Sequence, residues 1–347
     1  MSKNDFPTLA ARPGPVDVAP SAAVLGAWIA GEGVQIAQGA VVRSLDSAVQ
    51  VGGRSALLEN GVIIGSPALP VQIGQKVVFG HRCLIVGATV GDLCEIGNAS
   101  ILLPGARLGS RCFLGEGTLI PAGMVIPDDS VVIGRPGRIR RRVNDEDIRR
   151  LSGLRGGDLS LARFETQTLT GSLPAGAEMG TLYSYQDKSP RVASSAILFD
   201  TAEITGDVSV GEDSIIGAGV KIIGDSHGPV RIGARVQILE NTVLHLLPDN
   251  ELVLEDDVVI GPGAMIHGCH LGRGTIVEPG AIVCDGSRLG RDCRVGAGSL
   301  VPQRAEFGDD LVLEGFPVKP VGSVAGPQRL PAWALHRSDL PSLVRLR

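Results

Sequence analysis

The fold is decided by the stretch VGDLCEIGNASILLPGARLGSRCFLGEGTLIPAGMVI, residues 90–126. An aliphatic side chain recurs at every sixth position of this stretch: Val90, Ile96, Leu102, Leu108, Leu114, Ile120 and Ile126. A helix would repeat about every 3.6 residues and a simple strand about every two, so this period indicates a short strand followed by a turn. Stacked turns of this kind form a parallel β-solenoid, in which each coil covers the apolar edge of its neighbour.

The six-residue pattern of aliphatic side chains occurs in two separate parts of the chain. A second series runs Leu271, Val277, Val283, Leu289, Val295 and Val301. Adding 181 to the residue number superimposes the first copy on the second from Val51 onward, and before Val51 the offset is 180. Because the two copies match position by position, the sequence predicts a tandem duplication of one solenoid domain.

Four segments follow from this repeat. We expect one β-solenoid domain at 18–143, a helix and linker at 144–190, a second β-solenoid domain at 191–325 and a C-terminal tail at 326–347. Asn144 is suited to cap a helix whose first turn is acidic. The helix is expected to run from Asp145 to about Thr168, interrupted at Gly156 and Gly157. The segment 170–190 has the composition of a linker.

Composition narrows the class of protein. Hydrophobic residues make up 44% of the chain and aromatics only 3%, beside 48 glycines, which suits thin, repetitive β structure. The net charge of −5 gives no global attraction for nucleic acid, and the arginines at 138–142 and 149–150 are interpreted as a solvated surface. No apolar run reaches the roughly 18 residues that span a bilayer, and residues 1–7 lack the apolar core of a signal peptide. We therefore expect a cytoplasmic protein that binds neither nucleic acid nor membrane.

Three histidines occupy repeat positions that can be compared between the copies. Position 64/245 holds Ile64 and His245, position 81/262 holds His81 and Pro262, and position 86/267 holds Val86 and His267. Each position therefore carries a histidine in one copy only.

The segments around these histidines resemble the γ-class carbonic anhydrases, which belong to the hexapeptide-repeat superfamily. The resemblance is carried by Thr-Val-Leu-His at 242–245, Met-Ile-His-Gly-Cys at 265–269 and Gly-His-Arg at 80–82, and it extends over nearly all of residues 20–150 and 195–325. It implies two left-handed parallel β-helices, assembly into trimers, and zinc held between neighbouring domains. Two zinc ligands would come from one domain and the third from the next.

Carried over position by position, the resemblance implies that His245 and His267 are the two zinc ligands from one side. His81 would be the third, supplied by a first-copy domain across an interface. Three neutral imidazoles suit Zn²⁺ and leave a position open for water, which zinc would activate for attack on CO₂ or a similar small electrophile. The family also pairs an arginine with an aspartate across its interface. Arg43 survives in the first copy and Asp225 in the second.

Two features leave the function open. The active-site glutamine of the family aligns with Leu58 and Leu239, so both copies lack it. The composite site also requires a first-copy domain beside a second-copy domain. The two kinds of domain cannot alternate around a ring of three, because three is an odd number. The partner is accordingly expected to be another copy of the chain, in a homo-oligomer such as a trimer, or a related subunit, with a small CO₂- or bicarbonate-like molecule as substrate if the protein is active.

Two other functions fit the same repeat. A hexapeptide acyltransferase dependent on coenzyme A would use a loop histidine such as His227 as general base. A structural or assembly subunit would use only the flat faces of the solenoid.

Overall fold

The computed structural model of the chain describes residues 15–161, 165–225, 228–326 and 328–346. These residues form two compact units. The first comprises the described residues up to Ser172 and from Ser342 onward, and the second comprises Leu173–Pro341. Each unit is a parallel β-solenoid, because its strands fall into three sheets that the chain visits in rotation. The predicted all-β solenoid class is therefore confirmed, and the left-handed sense of the coils stays a prediction.

The first unit has three sheets, which we name A, B and C. Sheet A contains Asp17–Val18, Gln35–Ile36, Ala56–Leu57, Val78–Phe79, Glu95–Ile96, Phe113–Leu114, Ser130–Ile133 and the antiparallel Arg138–Arg142. Sheet B contains Ala23–Leu25, Val41–Ser44, Val62–Gly65, Leu84–Val86, Ile101–Leu102, Leu119–Ile120 and, antiparallel to the first of these, Val344–Leu346. Sheet C contains Trp28–Gly31, Val49–Val51, Val71–Ile73, Thr89–Val90, Arg107–Leu108, Val125–Ile126 and, antiparallel to the first, Thr166–Leu169.

The second unit repeats this arrangement in sheets that we name A′, B′ and C′. Sheet A′ contains Ile197–Leu198, Ile215–Ile216, Gln237–Ile238, Val259–Ile260, Ile276–Val277, Arg294–Val295, Leu311–Gly315 and the antiparallel Val318–Ser323. Sheet B′ contains Thr181–Tyr183, Glu203–Gly206, Lys221–Gly224, Val243–Leu244, Met265–Ile266, Ile282–Val283 and Leu300–Val301. Sheet C′ contains Arg191–Val192, Val208–Val210, Val230–Ile232, Leu252–Leu254, His270–Leu271, Arg288–Leu289 and Glu306–Phe307. The strand Leu173–Pro174 belongs to sheet B, and a 3₁₀ helix spans Arg337–Ser342.

The six-residue period places equivalent side chains on top of one another. Ile96 pairs in register with Phe79 of the preceding coil and with Leu114 of the following coil, and all three side chains are buried. The residue before the aliphatic position is exposed in some strands, as Arg107 is beside the buried Leu108, and buried in others, as Ile101 is beside Leu102. Each leucine-sized side chain placed inside contributes on the order of 2 kcal/mol through the hydrophobic effect. The core of each unit is therefore one continuous column of aliphatic side chains.

Glycine follows many of these strands because successive coils pass close to each other. At Gly97, an added Cβ would lie 2.7 Å from the backbone oxygen of Leu114 in the next coil. A real Cβ does not approach a backbone atom so closely, so any other residue would push the coils apart.

A single α-helix within the described residues, α1, spans Asp145–Leu154. The Asn144 side chain accepts hydrogen bonds from the backbone N–H groups of Glu146 and Asp147, and the Asp147 carboxylate accepts one from the Asn144 N–H. This capping box confirms the predicted helix start. The predicted continuation to about Thr168 is wrong, because Gly156 and Gly157 take positive φ of 64° and 83°.

The segment predicted as linker contributes to a solenoid. Thr181–Tyr183 pairs in parallel with Glu203–Gly206 and is the first strand of sheet B′. The linker reading of 170–190 is therefore wrong for these residues. Within the described residues, no helix combines the length and apolar character needed to span a lipid bilayer.

A non-repetitive segment covers sheet A in the first unit. Leu151 of α1 is fully buried, and the Arg155 guanidinium lies 2.5 Å from the Glu95 carboxylate and donates to the Lys76 carbonyl. The Lys76 ammonium is itself buried and reaches Asp158 at 2.9 Å. Buried charged groups therefore hold the helix and its exit against the sheet.

The C-terminal tail covers sheet A′, the equivalent sheet of the second unit. The Gln237 side chain donates to the Leu335 carbonyl at 2.8 Å and accepts from the Leu335 N–H at 3.0 Å. The buried Trp333 donates its indole N–H to Glu278 at 2.9 Å. Beyond the tail's 3₁₀ helix, Val344–Leu346 adds a strand to sheet B of the first unit.

Candidate metal centre

Two of the predicted zinc ligands come together in the second unit. His245 and His267 each follow a strand of sheet B′ by one residue, on successive coils. The backbone N–H of His245 donates to the Ile266 carbonyl, and that of His267 donates to the Val283 carbonyl. This ladder brings the two imidazole centroids to 6.3 Å, with the ring planes 84° apart. Both side chains are half-buried.

A buried aspartate on the next coil supports this pair. The Oδ1 atom of Asp285 accepts hydrogen bonds from the backbone N–H groups of Leu247 and Gly268 and from the Asn250 side chain, at 3.1–3.3 Å. Its Oδ2 atom lies 3.6 Å from Nδ1 of His267. That nitrogen is buried and has no hydrogen-bond partner among the described residues.

The third predicted ligand, His81, lies in a turn of the first unit. Its backbone N–H donates to the Asn98 side chain at 2.7 Å, and Arg82 takes a positive φ of 58° to close the turn. Nδ1 of His81 lies 2.7 Å from the Glu59 carboxylate. About half of the His81 side chain is exposed, at 48%. The Nδ1 edge of the ring therefore faces a carboxylate.

The structure thus assembles part of the predicted site in each unit. No group of three or more metal-binding side chains forms within the part of one chain that the structure describes.

Arg43 is buried on the strand Val41–Ser44, and Asp225 directly follows Lys221–Gly224. The predicted pairing of Arg43 with Asp225 across an interface stays a prediction. His227, the alternative general base, lies outside the described residues.

The separation of the two imidazoles, 6.3 Å between centroids, can be compared with that of two histidines sharing one zinc ion. At Zn–N distances of about 2.0 Å and a tetrahedral angle, two imidazole centroids would lie about 5 Å apart, so the observed pair needs to close by about 1 Å. The unpartnered Nδ1 of His267 is consistent with this assignment, since metal-binding histidines donate their other N–H to a carboxylate. Asp285 lies where that acceptor is required.

Three supporting residues were missed from the sequence: Asp285, Asn250 and Glu59. The comparison that singled out the histidines contained a signal for two of them. The offset of 181 aligns Asp285 with Pro104 and Asn250 with Leu69. Polar residues therefore replace apolar ones at several neighbouring positions of the second copy. Glu59 aligns with Glu240, so no difference marked it.

The other histidines belong to different surroundings. His270 is half-buried, and its Nε2 lies 2.9 Å from the Glu255 carboxylate. This contact, together with a backbone N–H from Arg273, lowers the pKa of Glu255. His336 is exposed in the tail. Leu239, at one glutamine position of the family, is buried, and Leu58 at the other is half-buried.

Comparison with known proteins matches both copies. The model for the hexapeptide repeat of succinyl-transferase matches residues 70–104 and 251–285, two segments separated by the same 181 residues as the internal duplication. The carbonic anhydrase of Geobacillus kaustophilus is 37% identical over 109 residues, which cover 31% of this chain and 59% of that protein. This chain therefore spans less than two thirds of the Geobacillus protein's length.

Two further relatives are covered over most of their length. Protein YrdA of Escherichia coli is 34% identical over 155 residues, which cover 43% of this chain and 84% of YrdA. The crystal structure of a hexapeptide transferase family protein from Anaplasma phagocytophilum is 30% identical, with a TM-score of 0.40, over 42% of this chain and 84% of that one. The repeat, the solenoid and the similarity to the Geobacillus carbonic anhydrase and to YrdA show that the chain belongs to the γ-carbonic-anhydrase-like family of hexapeptide-repeat proteins.

Proposed function

We propose that the second unit is a zinc half-site, in which His245 and His267 bind the metal and His81 of another chain completes the ligand set. The observation that carries this proposal is the placement of carboxylates. Glu59 lies 2.7 Å from Nδ1 of His81, and Asp285 lies 3.6 Å from Nδ1 of His267. Both arrangements leave Nε2 as the donor to a metal, as in carboxylate–histidine–zinc sites. The proposal therefore implies a homo-oligomer in which the His81 turn of one chain meets the His245–His267 pair of another.

The substrate class in this proposal is a small electrophile such as CO₂. Zinc, when bound, supplies a Lewis acid that brings the pKa of water to about 7. The residues of the chain hold the ligands and set the surroundings. Leu58 and Leu239 offer no hydrogen bond to a substrate oxygen, because both are hydrocarbon side chains at the family's glutamine position. We therefore expect CO₂ hydration to be slower than in a relative that keeps the glutamine.

Metal content measured together with oligomeric mass tests the proposal. Purified wild-type protein dialysed against zinc is expected to retain one zinc per chain in the oligomer. The single variants His81→Ala, His245→Ala and His267→Ala are expected to lose at least 100-fold in zinc affinity. His270→Ala is the matched control, since its ring pairs with Glu255 instead. Wild type without zinc, or variants that bind it as wild type does, would contradict the proposal.

A second candidate, acyl transfer from coenzyme A, is favoured by the succinyl-transferase repeat model that matches both copies. Isothermal titration with acetyl-CoA distinguishes the two. Micromolar acetyl-CoA binding by a zinc-free protein supports the transferase. Binding of neither ligand leaves an assembly subunit, and both enzymatic proposals are then rejected.

A further inference from the structure

The two units differ together at four neighbouring positions. In the second unit these positions carry polar groups, and in the first unit they carry apolar groups at the same places in the repeat. The pairs are His245 and Ile64, Asn250 and Leu69, His267 and Val86, and Asp285 and Pro104. We name the four residues of the second unit the polar corner. Asp285 contacts Asn250 and lies beside His267, and His267 lies beside His245, so the four polar groups form one cluster.

In the first unit the equivalent positions are held by apolar packing and backbone hydrogen bonds. Val86 pairs in register with Ile64, and both are buried. Leu69 lies against the backbone of Gly87, and two backbone hydrogen bonds between Ser66 and Leu69 close the loop. No polar side chain is required to hold this arrangement.

In the second unit, Asp285 replaces those contacts. Its Oδ1 atom accepts from Leu247 and Asn250 at the two ends of the equivalent loop, and from the Gly268 N–H. Asn250 also donates to the Gly268 carbonyl at 2.7 Å. Three donors therefore fix the orientation of the Asp285 carboxylate and aim Oδ2 at the His267 ring.

Oδ2 and Nδ1 of His267 are 3.6 Å apart, which is beyond hydrogen-bond distance. If the distance between Oδ2 of Asp285 and Nδ1 of His267 shortened by about half an ångström, the two atoms would form a hydrogen bond. The bond would place the proton on Nδ1 and leave the Nε2 lone pair free.

We propose that Asp285 is a positioning residue that fixes the tautomer of His267 with the proton on Nδ1, and so prepares Nε2 to bind the metal. This inference rests on the proposed zinc half-site, and it adds the group that makes the half-site competent. Asp285 itself does not need to touch the metal.

Asp285→Asn separates this role from simple support of the loop. Three N–H donors face Oδ1, so the oxygen of the new amide is held at that position and its NH₂ group faces His267. The loop keeps its hydrogen bonds. His267 now meets a donor at Nδ1, which favours the other tautomer, with the proton on Nε2.

Two measurements on the full chain read this out. In metal-free protein, ¹⁵N NMR of labelled histidine side chains is expected to show His267 mainly protonated at Nδ1 in wild type and mainly at Nε2 in Asp285→Asn. Zinc affinity, measured by competition with a chromophoric chelator, is expected to weaken 10- to 100-fold. Asp285→Glu is expected to recover part of this loss, because it restores a carboxylate. Glu255→Gln makes the same chemical change beside His270 and is expected to leave zinc affinity unchanged.

The outcomes separate this inference from the proposed function. An unchanged His267 tautomer in Asp285→Asn overturns the positioning role, whether or not zinc binding weakens. A changed tautomer in a protein whose wild type binds no zinc rejects the metal site while Asp285 still orients the ring. A changed tautomer with zinc affinity within about threefold of wild type also overturns the inference, since orientation would then not matter for binding.

Discussion

Sheets A and A′ occupy the same place in the two units, yet their coverings differ in chemistry. In the first unit, Arg155 inserts a buried guanidinium beside Glu95 and under α1. In the second, the buried anchors Gln237 and Trp333 hold the tail through neutral donors, and the tail's ion pair, Arg337 with Asp213, is exposed. The two units therefore share the backbone of the repeat, while the segments and side chains that cover their outer faces differ. Removal of a charged anchor should therefore cost more than removal of a neutral one.

The largest stability effect is expected for Arg155→Met. Methionine fills the volume but leaves the Glu95 carboxylate with no guanidinium, and breaking a buried ion pair costs about 3–5 kcal/mol. Burial raises the pKa of Glu95, and Arg155 partly offsets this rise. Guanidinium-chloride unfolding measures the loss.

The pH dependence of Arg155→Met follows from the sign of that pKa shift. A carboxyl whose pKa is higher in the folded state binds more protons there, so stability falls as pH rises above its unfolded pKa. Without Arg155 the folded pKa rises further, and the fall extends to higher pH. The variant is expected to lose more stability at pH 8 than at pH 5. An equal loss at both values would show that Glu95 is not the group left uncompensated.

The next effect concerns the corner positions. Val86→His places an imidazole in a fully buried apolar slot of the first unit and is expected to cost about 3 kcal/mol. The reverse change, His267→Val, is expected to cost less, about 1–2 kcal/mol in metal-free protein, because His267 is only half-buried and valine removes its contact with Asp285. Denaturant unfolding of both variants without metal measures this asymmetry. Equal losses of unfolding free energy in the two variants would mean that positions 86 and 267 accept a polar side chain equally well.

A smaller loss of stability than that of Val86→His is expected for Gln237→Ala. It leaves the backbone N–H and carbonyl of Leu335 without their side-chain partner, which costs about 2 kcal/mol. Amide hydrogen exchange at Leu335 should speed up, while exchange at Leu151 in α1 stays unchanged. Faster exchange at both positions would contradict a purely local role for the tail's anchor.

The solenoid could be predicted from the sequence because the six-residue spacing of the aliphatic side chains corresponds to one strand and one turn. Every coil repeats one contact pattern, so the aliphatic positions at 90–126 predict both the strands and their register. The start of α1 was predictable for a similar reason, since Asn144 and Asp147 form a local capping box. The same residue-by-residue comparison located His81, His245 and His267.

The remaining features depend on contacts with no period. Arg155 meets Glu95 across 60 residues of chain, and Gln237 meets Leu335 across 98. Neither contact has a counterpart at the equivalent position of the other copy. Asp285 was missed although Pro104 at the equivalent position marks it as a difference, because no histidine pattern drew attention to it.

X-ray absorption spectroscopy at the zinc edge, on wild-type oligomer loaded with one equivalent of zinc, tests the central claim most directly. The account predicts a shell of nitrogen ligands at about 2.0–2.1 Å with the scattering signature of three imidazoles, reduced in His81→Ala and in His267→Ala. A shell without imidazole scattering, or one that both variants leave intact, would contradict it.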